Sequence, residues 1–300
     1  MNLSVKIAGV ELKNPITTAS GTFGSGMEYN RLFDVGKLGA ITVKGMSHEP
    51  WPGNPPPRIA ETYGGMLNAV GLQNPSAKAF IRDYLPFLKQ SGTKIIVNLC
   101  GRTLEDYVAV TRDFEEVAID LIELNISCPN IKAGGMAMGT DPQMAETVTR
   151  AVKQYAQVPV IVKLSPNVTD IISIAKAAET GGADGLSLIN TLQGMKIDIH
   201  NRKPLLGNKI GGLSGPAIKP VAVRMVYQVA KAVKLPIIGM GGITTGEDAI
   251  EFIMAGATAV AVGTANFANP RATLDVLDGI VSFMRKHNIT DINDIRGIIQ

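Results

Sequence analysis

Short apolar runs alternate with amphipathic stretches along almost the whole chain. The runs are Ile16–Ala19, Ala40–Val43, Ile95–Leu99, Leu121–Leu124, Val160–Leu164, Leu186–Ile189, Ile237–Met240 and Ala259–Val262. They are nearly continuous and rich in β-branched residues, as strands buried on both faces are. Between them, stretches such as Thr103–Glu116, Pro142–Tyr155, Val168–Thr180, Pro216–Val233 and Gly246–Ala255 read as helices. Thr140-Asp141-Pro142 places a capping residue before a first-turn proline. Eight strands alternating with helices most simply close into a (β/α)8 TIM barrel of the α/β class. That makes residues 1–300 a single domain. An open doubly wound sheet is the alternative, but no Gly-x-Gly-x-x-Gly follows the first strand.

Two departures from this rhythm stand out. At the start, Leu3, Val5 and Ile7 alternate with other residues before Gly9 turns the chain into Val10-Glu11-Leu12. This predicts an N-terminal β-hairpin plugging one end of the body. Later, the connections Gly45–Asn74 and Thr191–Gly215 are too long for simple turns. The first holds Trp51 and five of the 17 prolines, and the second holds Asp198, His200 and Arg202. Both should emerge at the C-terminal face, where barrel enzymes carry their active sites.

Composition narrows the function classes. The chain has 300 residues, 45% hydrophobic and 18% charged, enough for a large core. Lysine and arginine number 29 against 26 acidic residues, a net charge of +3 with no basic run. Nucleic-acid binding normally requires a basic stripe, whereas small anions suit this balance. The N-terminus lacks an apolar signal core, and no apolar stretch reaches the ~18 residues of a membrane span. The expected location is cytoplasmic, with Cys100 and Cys128 reduced. His48, His200 and His287 show no ligand spacing, so no metal site is expected, and no Gly-x-Ser-x-Gly or Ser-His-Asp arrangement appears.

The strand ends carry the candidate chemistry. In order they present Ser20-Gly21, Lys44-Gly45, Asn98, Asn125, Lys163, Asn190-Thr191, Gly241-Gly242 and Gly263-Thr264. Glycines after strands seven and eight suit a phosphate held by backbone N–H groups. Gly211-Gly212-Leu213-Ser214-Gly215 offers more such donors. Lys44 and Lys163 each follow an apolar run, placing an ammonium where an anionic group would pair with it. Asn68, Asn125 and Asn190 offer both donors and acceptors to an amide-rich heterocycle, although each singly also fits a turn or cap. Cys128, in Asn125-Ile126-Ser127-Cys128-Pro129-Asn130, stands on the loop after the fourth strand. That placement suits a catalytic group, whereas a lone cysteine is more often a buried, inert hydrophobe.

Taken together these segments resemble the class 1 dihydroorotate dehydrogenases over essentially the full length. The resemblance rests on Ala19-Ser20-Gly21-Thr22-Phe23-Gly24, Thr42-Val43-Lys44-Gly45, Asn68-Ala69-Val70-Gly71-Leu72-Gln73-Asn74-Pro75 and the segment around Cys128. It extends to Val162-Lys163-Leu164-Ser165-Pro166, Gly211–Gly215 and Gly239-Met240-Gly241-Gly242-Ile243. The segment from Asn190 to Gly215 is similar to the NAD+-linked 1B subtype. The resemblance implies oxidation of dihydroorotate to orotate in pyrimidine biosynthesis, with one FMN per chain. It implies FMN contacts from Ser20, Lys44, Gly45, Asn98, Asn125, Lys163, Ile189, Gly215, Gly241, Gly242, Gly263 and Thr264. Substrate contacts would come from Lys44, Asn68, Ala69, Val70, Gly71, Leu72, Asn125, Asn190 and Thr191, with Cys128 as the base. It further implies a homodimer core joined by an electron-transfer subunit carrying FAD and a [2Fe–2S] cluster. Such a cluster needs four ligands of the cysteine type, and this chain has two cysteines. Ile131–Met136, with Gly134 and Gly135, is expected to form a lid. Three alternatives stay open: the fumarate-using 1A subtype, a flavin enzyme for another dihydropyrimidine, and a phosphate-ligand barrel without redox chemistry.

Overall fold

The structure, a computed structural model, describes residues 1–127 and 138–299. The eight apolar runs all become strands: β1 (Ile16–Thr18), β2 (Ala40–Thr42), β3 (Lys94–Leu99), β4 (Leu121–Asn125), β5 (Val160–Lys163), β6 (Gly185–Leu188), β7 (Ile237–Met240) and β8 (Ala259–Val262). Parallel ladders join them in the order β2-β3-β4-β5-β6-β7-β8-β1. The remaining seam, between β1 and β2, is bridged by the Gly39 N–H to Ile16 O bond at 3.0 Å and by a side chain. Thr18 Oγ1 donates to Thr42 O at 3.2 Å and accepts from Thr42 N at 3.0 Å, both buried. The expected TIM barrel is therefore what the chain forms.

Helices cover the outside. They are α1 (Ala77–Asp83), α2 (Leu85–Gln90), α3 (Leu104–Arg112), α4 (Pro142–Tyr155), α5 (Ile171–Thr180), α6 (Lys219–Ala232), α7 (Gly246–Met254) and α8 (Ala272–Lys286). Starts are set by local chemistry. Thr103 with Asp106, and Thr245 with Asp248, form reciprocal capping boxes, and Asp141 accepts from Met144 N ahead of Pro142. The helical pattern read from Thr103 to Glu116 is trimmed to α3, and that from Pro216 opens with a 3-10 turn, Pro216–Ile218, before α6. One contact explains a pair of glycines: a Cβ on Gly246 of α7 would lie 2.3 Å from the Gly279 carbonyl carbon of α8.

The N-terminal hairpin pairs Val5–Ile7 with Val10–Leu12 through a turn at Ala8 and Gly9, both at positive φ. Val5, Ile7 and Leu12 are buried in the main core. Just after it, Lys13 Nζ bonds to the Gly36 and Gly92 carbonyls, ahead of β2 and β3. The hairpin thus closes the N-terminal end of the barrel, opposite the strand ends that carry the candidate residues.

The two long connections meet each other. Leu192–Met195, Ile210–Ser214, Gly65–Asn68 and Ile59–Thr62 form a four-stranded antiparallel sheet in that order, with Asn68 opposite Gly212. Leu67, Ala69 and Leu206 give it a small core of its own. This mouth sheet roofs the C-terminal face. Trp51, in the first connection, is half-buried with the Arg102 guanidinium 4.5 Å above its ring. Among the described residues no helix is long and apolar enough to cross a membrane, and no His, Cys, Asp and Glu cluster could hold a metal ion.

Candidate active site

Between the C-terminal strand ends and the mouth sheet lies a cavity of about 460 Å³. This is within the ~300–1,000 Å³ typical of pockets that bury a small ligand. Each barrel strand delivers its residue just after its last ladder hydrogen bond, so the polar ends converge while apolar layers fill the barrel below. Ser20, Lys44, Gly45, Asn125, Lys163, Ile189, Gly215, Gly241, Gly242, Gly263 and Thr264 all line it. So do Asn68, Ala69, Val70, Gly71, Leu72, Asn190 and Thr191. The structure therefore gathers the expected flavin and substrate contacts into one space, with one exception. Asn98 is fully buried beneath the cavity floor, where its amide bonds Glu123 and Asn125. It supports the floor, and Gly45 above it has no room for a Cβ, which would lie 2.7 Å from Asn98 Oδ1. Cys128 and the segment Ile131–Met136 lie outside the described residues. Ser127, next to Cys128 in sequence, is buried and bonded to Asn125 and Asn190.

Glu123 was not singled out from the sequence. It is 2% exposed, in the middle of β4, and its carboxylate lies 3.6 Å from Lys163 Nζ. It also accepts from Asn98 Nδ2 at 2.6 Å and Ser187 Oγ at 2.8 Å. A buried carboxylate is tolerated only with partners of this kind. Lys163 reaches back to Ser20 Oγ at 3.4 Å. The sequence signal was present, since an acidic residue interrupts Leu121-Ile122-Glu123-Leu124, but nothing local says what it meets. The mouth-sheet residues Met66, Gln193, Ile210 and Ser214 also line the cavity. Of these only Ser214, within Gly211–Gly215, is read from the sequence; Met66, Gln193 and Ile210 go unread because only long-range strand pairing brings them there.

At the far side the backbone is shaped for close approach. Gly215, Gly241 and Gly242 have φ of 105°, 130° and 77°. A Cβ on Gly242 would meet Gly215 O at 2.7 Å, and one on Gly241 would meet Ala222 Cβ at 2.8 Å. No side chain fits, so the backbone itself faces whatever binds. Thr264 Oγ1 donates to Ser214 Oγ at 2.7 Å, tying the end of β8 to the mouth sheet. Behind the cradle, Lys219 Nζ bonds Asp248 at 2.7 Å and Glu251 at 2.6 Å. Burial pushes Asp248 up. The bonds it accepts from Lys219, the Thr244 hydroxyl and the Thr244 and Thr245 amides outweigh this and hold it at about 2.

These parts fit a flavin mononucleotide. A glycine cradle suits its phosphate, and a buried lysine suits the electron-rich edge of its ring. Room and amides remain for a small planar partner. Residues 2–284 match the family described as Dihydroorotate dehydrogenase. The "Dihydroorotate dehydrogenase B (NAD(+)), catalytic subunit" of Alkaliphilus metalliredigens is 67% identical over 297 residues, 99% of this chain and 98% of that protein. The protein of the same description from Lachnoclostridium phytofermentans is 65% identical over 300 residues, all of both chains. That from Thermoanaerobacter pseudethanolicus is 54% identical over 300 residues, covering 100% and 99%. With the match spanning nearly its whole length, the chain belongs to the dihydroorotate dehydrogenase family.

Proposed function

We propose that this chain is the catalytic subunit of an NAD+-linked dihydroorotate dehydrogenase, oxidising dihydroorotate to orotate in pyrimidine biosynthesis. The observation that carries the reading is one cavity combining a side-chain-free glycine cradle with Asn68, Asn125, Asn190, Lys44 and Lys163, in a chain 67% identical to a protein of that description.

Bound FMN supplies the two-electron acceptor for the hydride leaving C6 of the substrate. The chain's residues do the rest. Backbone at Gly215, Gly241 and Gly242, with Gly263 and Thr264, holds the phosphate. Lys163, compensated by Glu123, presents positive charge to the isoalloxazine edge where negative charge gathers on reduction. Asn68, Asn125 and Asn190 hold the pyrimidine flat against the flavin, and Lys44 pairs with its carboxylate. Cys128 takes the C5 proton. A thiol with an ordinary pKa of about 8.5 needs nearby dipoles or a higher pH to act as thiolate.

The electrons leave through a second subunit carrying FAD and a [2Fe–2S] cluster, and two copies of this chain form the core of that assembly. Met195, Ile197 and Ile199 stand exposed on or beside the mouth sheet, as do Ile59 and Ile210, which also line the cavity, and exposed apolar side chains of this kind suit a contact surface.

The test is a visible absorption spectrum of the purified chain before and after anaerobic dihydroorotate. A flavin spectrum that bleaches supports the reading. A flavin that stays oxidised with dihydroorotate but bleaches with dihydrouracil moves the substrate. No flavin, even after FMN is supplied, sinks the redox reading.

A further inference from the structure

Beyond the ends of β5 and β6 the bonding between them is carried on by a side chain. Leu164 N donates to Ser187 O at 2.8 Å, and Asn190 N donates to Leu164 O at 3.2 Å. Two residues on, Pro166 has no N–H, so the backbone cannot donate the next rung. Asn167 makes it instead. Its Nδ2 donates to Thr191 O at 3.0 Å, and its Oδ1 accepts from Gln193 N at 2.9 Å. A residue in a parallel ladder does the same, reaching a carbonyl and an N–H two residues apart on its neighbour. The two backbone groups also settle how the amide faces, because the Gln193 N–H can only donate and the Thr191 carbonyl can only accept. Ser165 Oγ accepts from Asn167 N at 3.2 Å and from Nδ2 at 3.4 Å, holding the side chain against its own loop.

The consequence reaches the cavity. Leu192–Met195 is an edge strand of the mouth sheet, paired within it to Ile210–Ser214 alone. Asn167 ties that edge to the barrel. Thr191 and Gln193 both line the cavity, and Asn167 stands behind them without lining it. Thr191 has no slack towards its other neighbour, since a Cβ on Gly212 would lie 2.0 Å from Thr191 Oγ1. Its side chain is pressed against one mouth strand while its carbonyl is held from β5. We infer that Asn167 is a positioning residue for the substrate site, supplying the missing rung between β5 and the mouth sheet and so fixing where Thr191 meets the ligand. This rests on the proposed function for the identity of the ligand, though not for the rung itself.

Two substitutions separate the two bonds. Asn167→Asp keeps an acceptor for Gln193 N and sets an oxygen against Thr191 O. Asn167→Leu removes both bonds. The FMN-loaded proteins are titrated with orotate, read from the change in the flavin absorption, and the flavin-free proteins with FMN, read from its fluorescence. N167D should bind orotate at least about fivefold more weakly, the scale of one lost neutral hydrogen bond, and N167L at least about tenfold. FMN affinity should stay within about twofold of the parent in both, on the same scale. A role in folding alone predicts that the two affinities fall together. Parental orotate affinity in either variant, or an equal loss for orotate and FMN, overturns the inference.

A readout that needs no ligand separates this from the functional reading. In the flavin-free chain, the Gln193 backbone amide should exchange its hydrogen with solvent at least about tenfold faster in N167L than in the parent. It should stay protected in N167D, and the amides of Val160–Lys163 should keep their parental rates in both. If the parent fails to bind orotate while Gln193 responds so, the substrate reading fails and Asn167 still positions Thr191. If Gln193 exchanges in N167L as it does in the parent, the rung is wrong whatever the substrate.

Discussion

At the scale of the residue, two positions carry sharp expectations. Gly242 has φ of 77°, and a Cβ there would press on Gly215 O at 2.7 Å and Lys219 Cβ at 2.9 Å. Gly242→Ala must therefore shift the backbone that holds the phosphate. FMN affinity should fall at least about tenfold, since one or more phosphate hydrogen bonds are lost, with orotate recognition changed only through the flavin. Fluorescence titration of the flavin-free protein with FMN measures this, and unchanged affinity would remove the cradle from the site. Asp248 gives a prediction in pH. Its carboxyl is held at about 2 against an ordinary 3.8. A depressed carboxylate stabilises the fold above its unfolded value, and the contribution is lost as pH falls from about 4 towards 2. Asp248→Asn should thus flatten the acid limb of a stability-against-pH curve in that window and lower stability at neutral pH. Parallel curves for the two proteins below pH 4 would refute it. The residues that sequence reading recovered best were those whose backbone position alone places them, such as Gly241, Gly242 and Asn125. Glu123 escaped because its meaning lies in Lys163, Asn98 and Ser187 on three other strands.

At the scale of the element, the barrel seam makes the clearest claim. β1 and β2 are joined through Thr18 Oγ1, which serves Thr42 as both donor and acceptor. Thr18→Val keeps the shape and removes both bonds, leaving a buried N–H and C=O without those partners. The cost should be about 1–3 kcal/mol, read as a lower midpoint in urea with an unchanged slope. A loss below about 0.5 kcal/mol, the scatter expected of neutral surface changes, would mean the seam holds without Thr18, through packing and the Gly39 N–H to Ile16 O bond. The same scale explains what was legible. The eight strands were readable because buried parallel strands write themselves as apolar runs, and α4 because a proline and a capping aspartate mark its start. The mouth sheet was not. It pairs Asn68 with Gly212, far apart in the chain, in short segments such as Ile210-Gly211-Gly212-Leu213-Ser214, where two glycines mask the strand pattern. The sequence could say only that both connections were too long to be turns. Asn98 ends an apolar run as the cavity residues do, and its side chain bonds Glu123 and Asn125, partners that only the folded barrel brings to it.

At the scale of the whole molecule, the question is where the electrons go. The cavity, about 460 Å³ under the mouth sheet, lies in the ordinary range for a small-ligand site, and the proposed function puts a flavin and a planar substrate there. Hydride transfer to a nicotinamide would require its ring stacked on the flavin at the same short range, in the place the proposed function gives to the substrate. With only two cysteines in the chain, an iron–sulfur relay cannot be built within it. The proposed function therefore predicts a division of labour. Dihydroorotate should bleach the flavin of the isolated chain in a single turnover, and NAD+ added anaerobically should leave it reduced. Supplying the electron-transfer subunit of a close relative should let NAD+ restore the oxidised spectrum. Prompt reoxidation by NAD+ alone would show that no partner is required. Reoxidation by fumarate instead would assign the chain the chemistry of the 1A subtype. Persistence of the reduced flavin until the second subunit arrives is the outcome that the proposed division of labour requires.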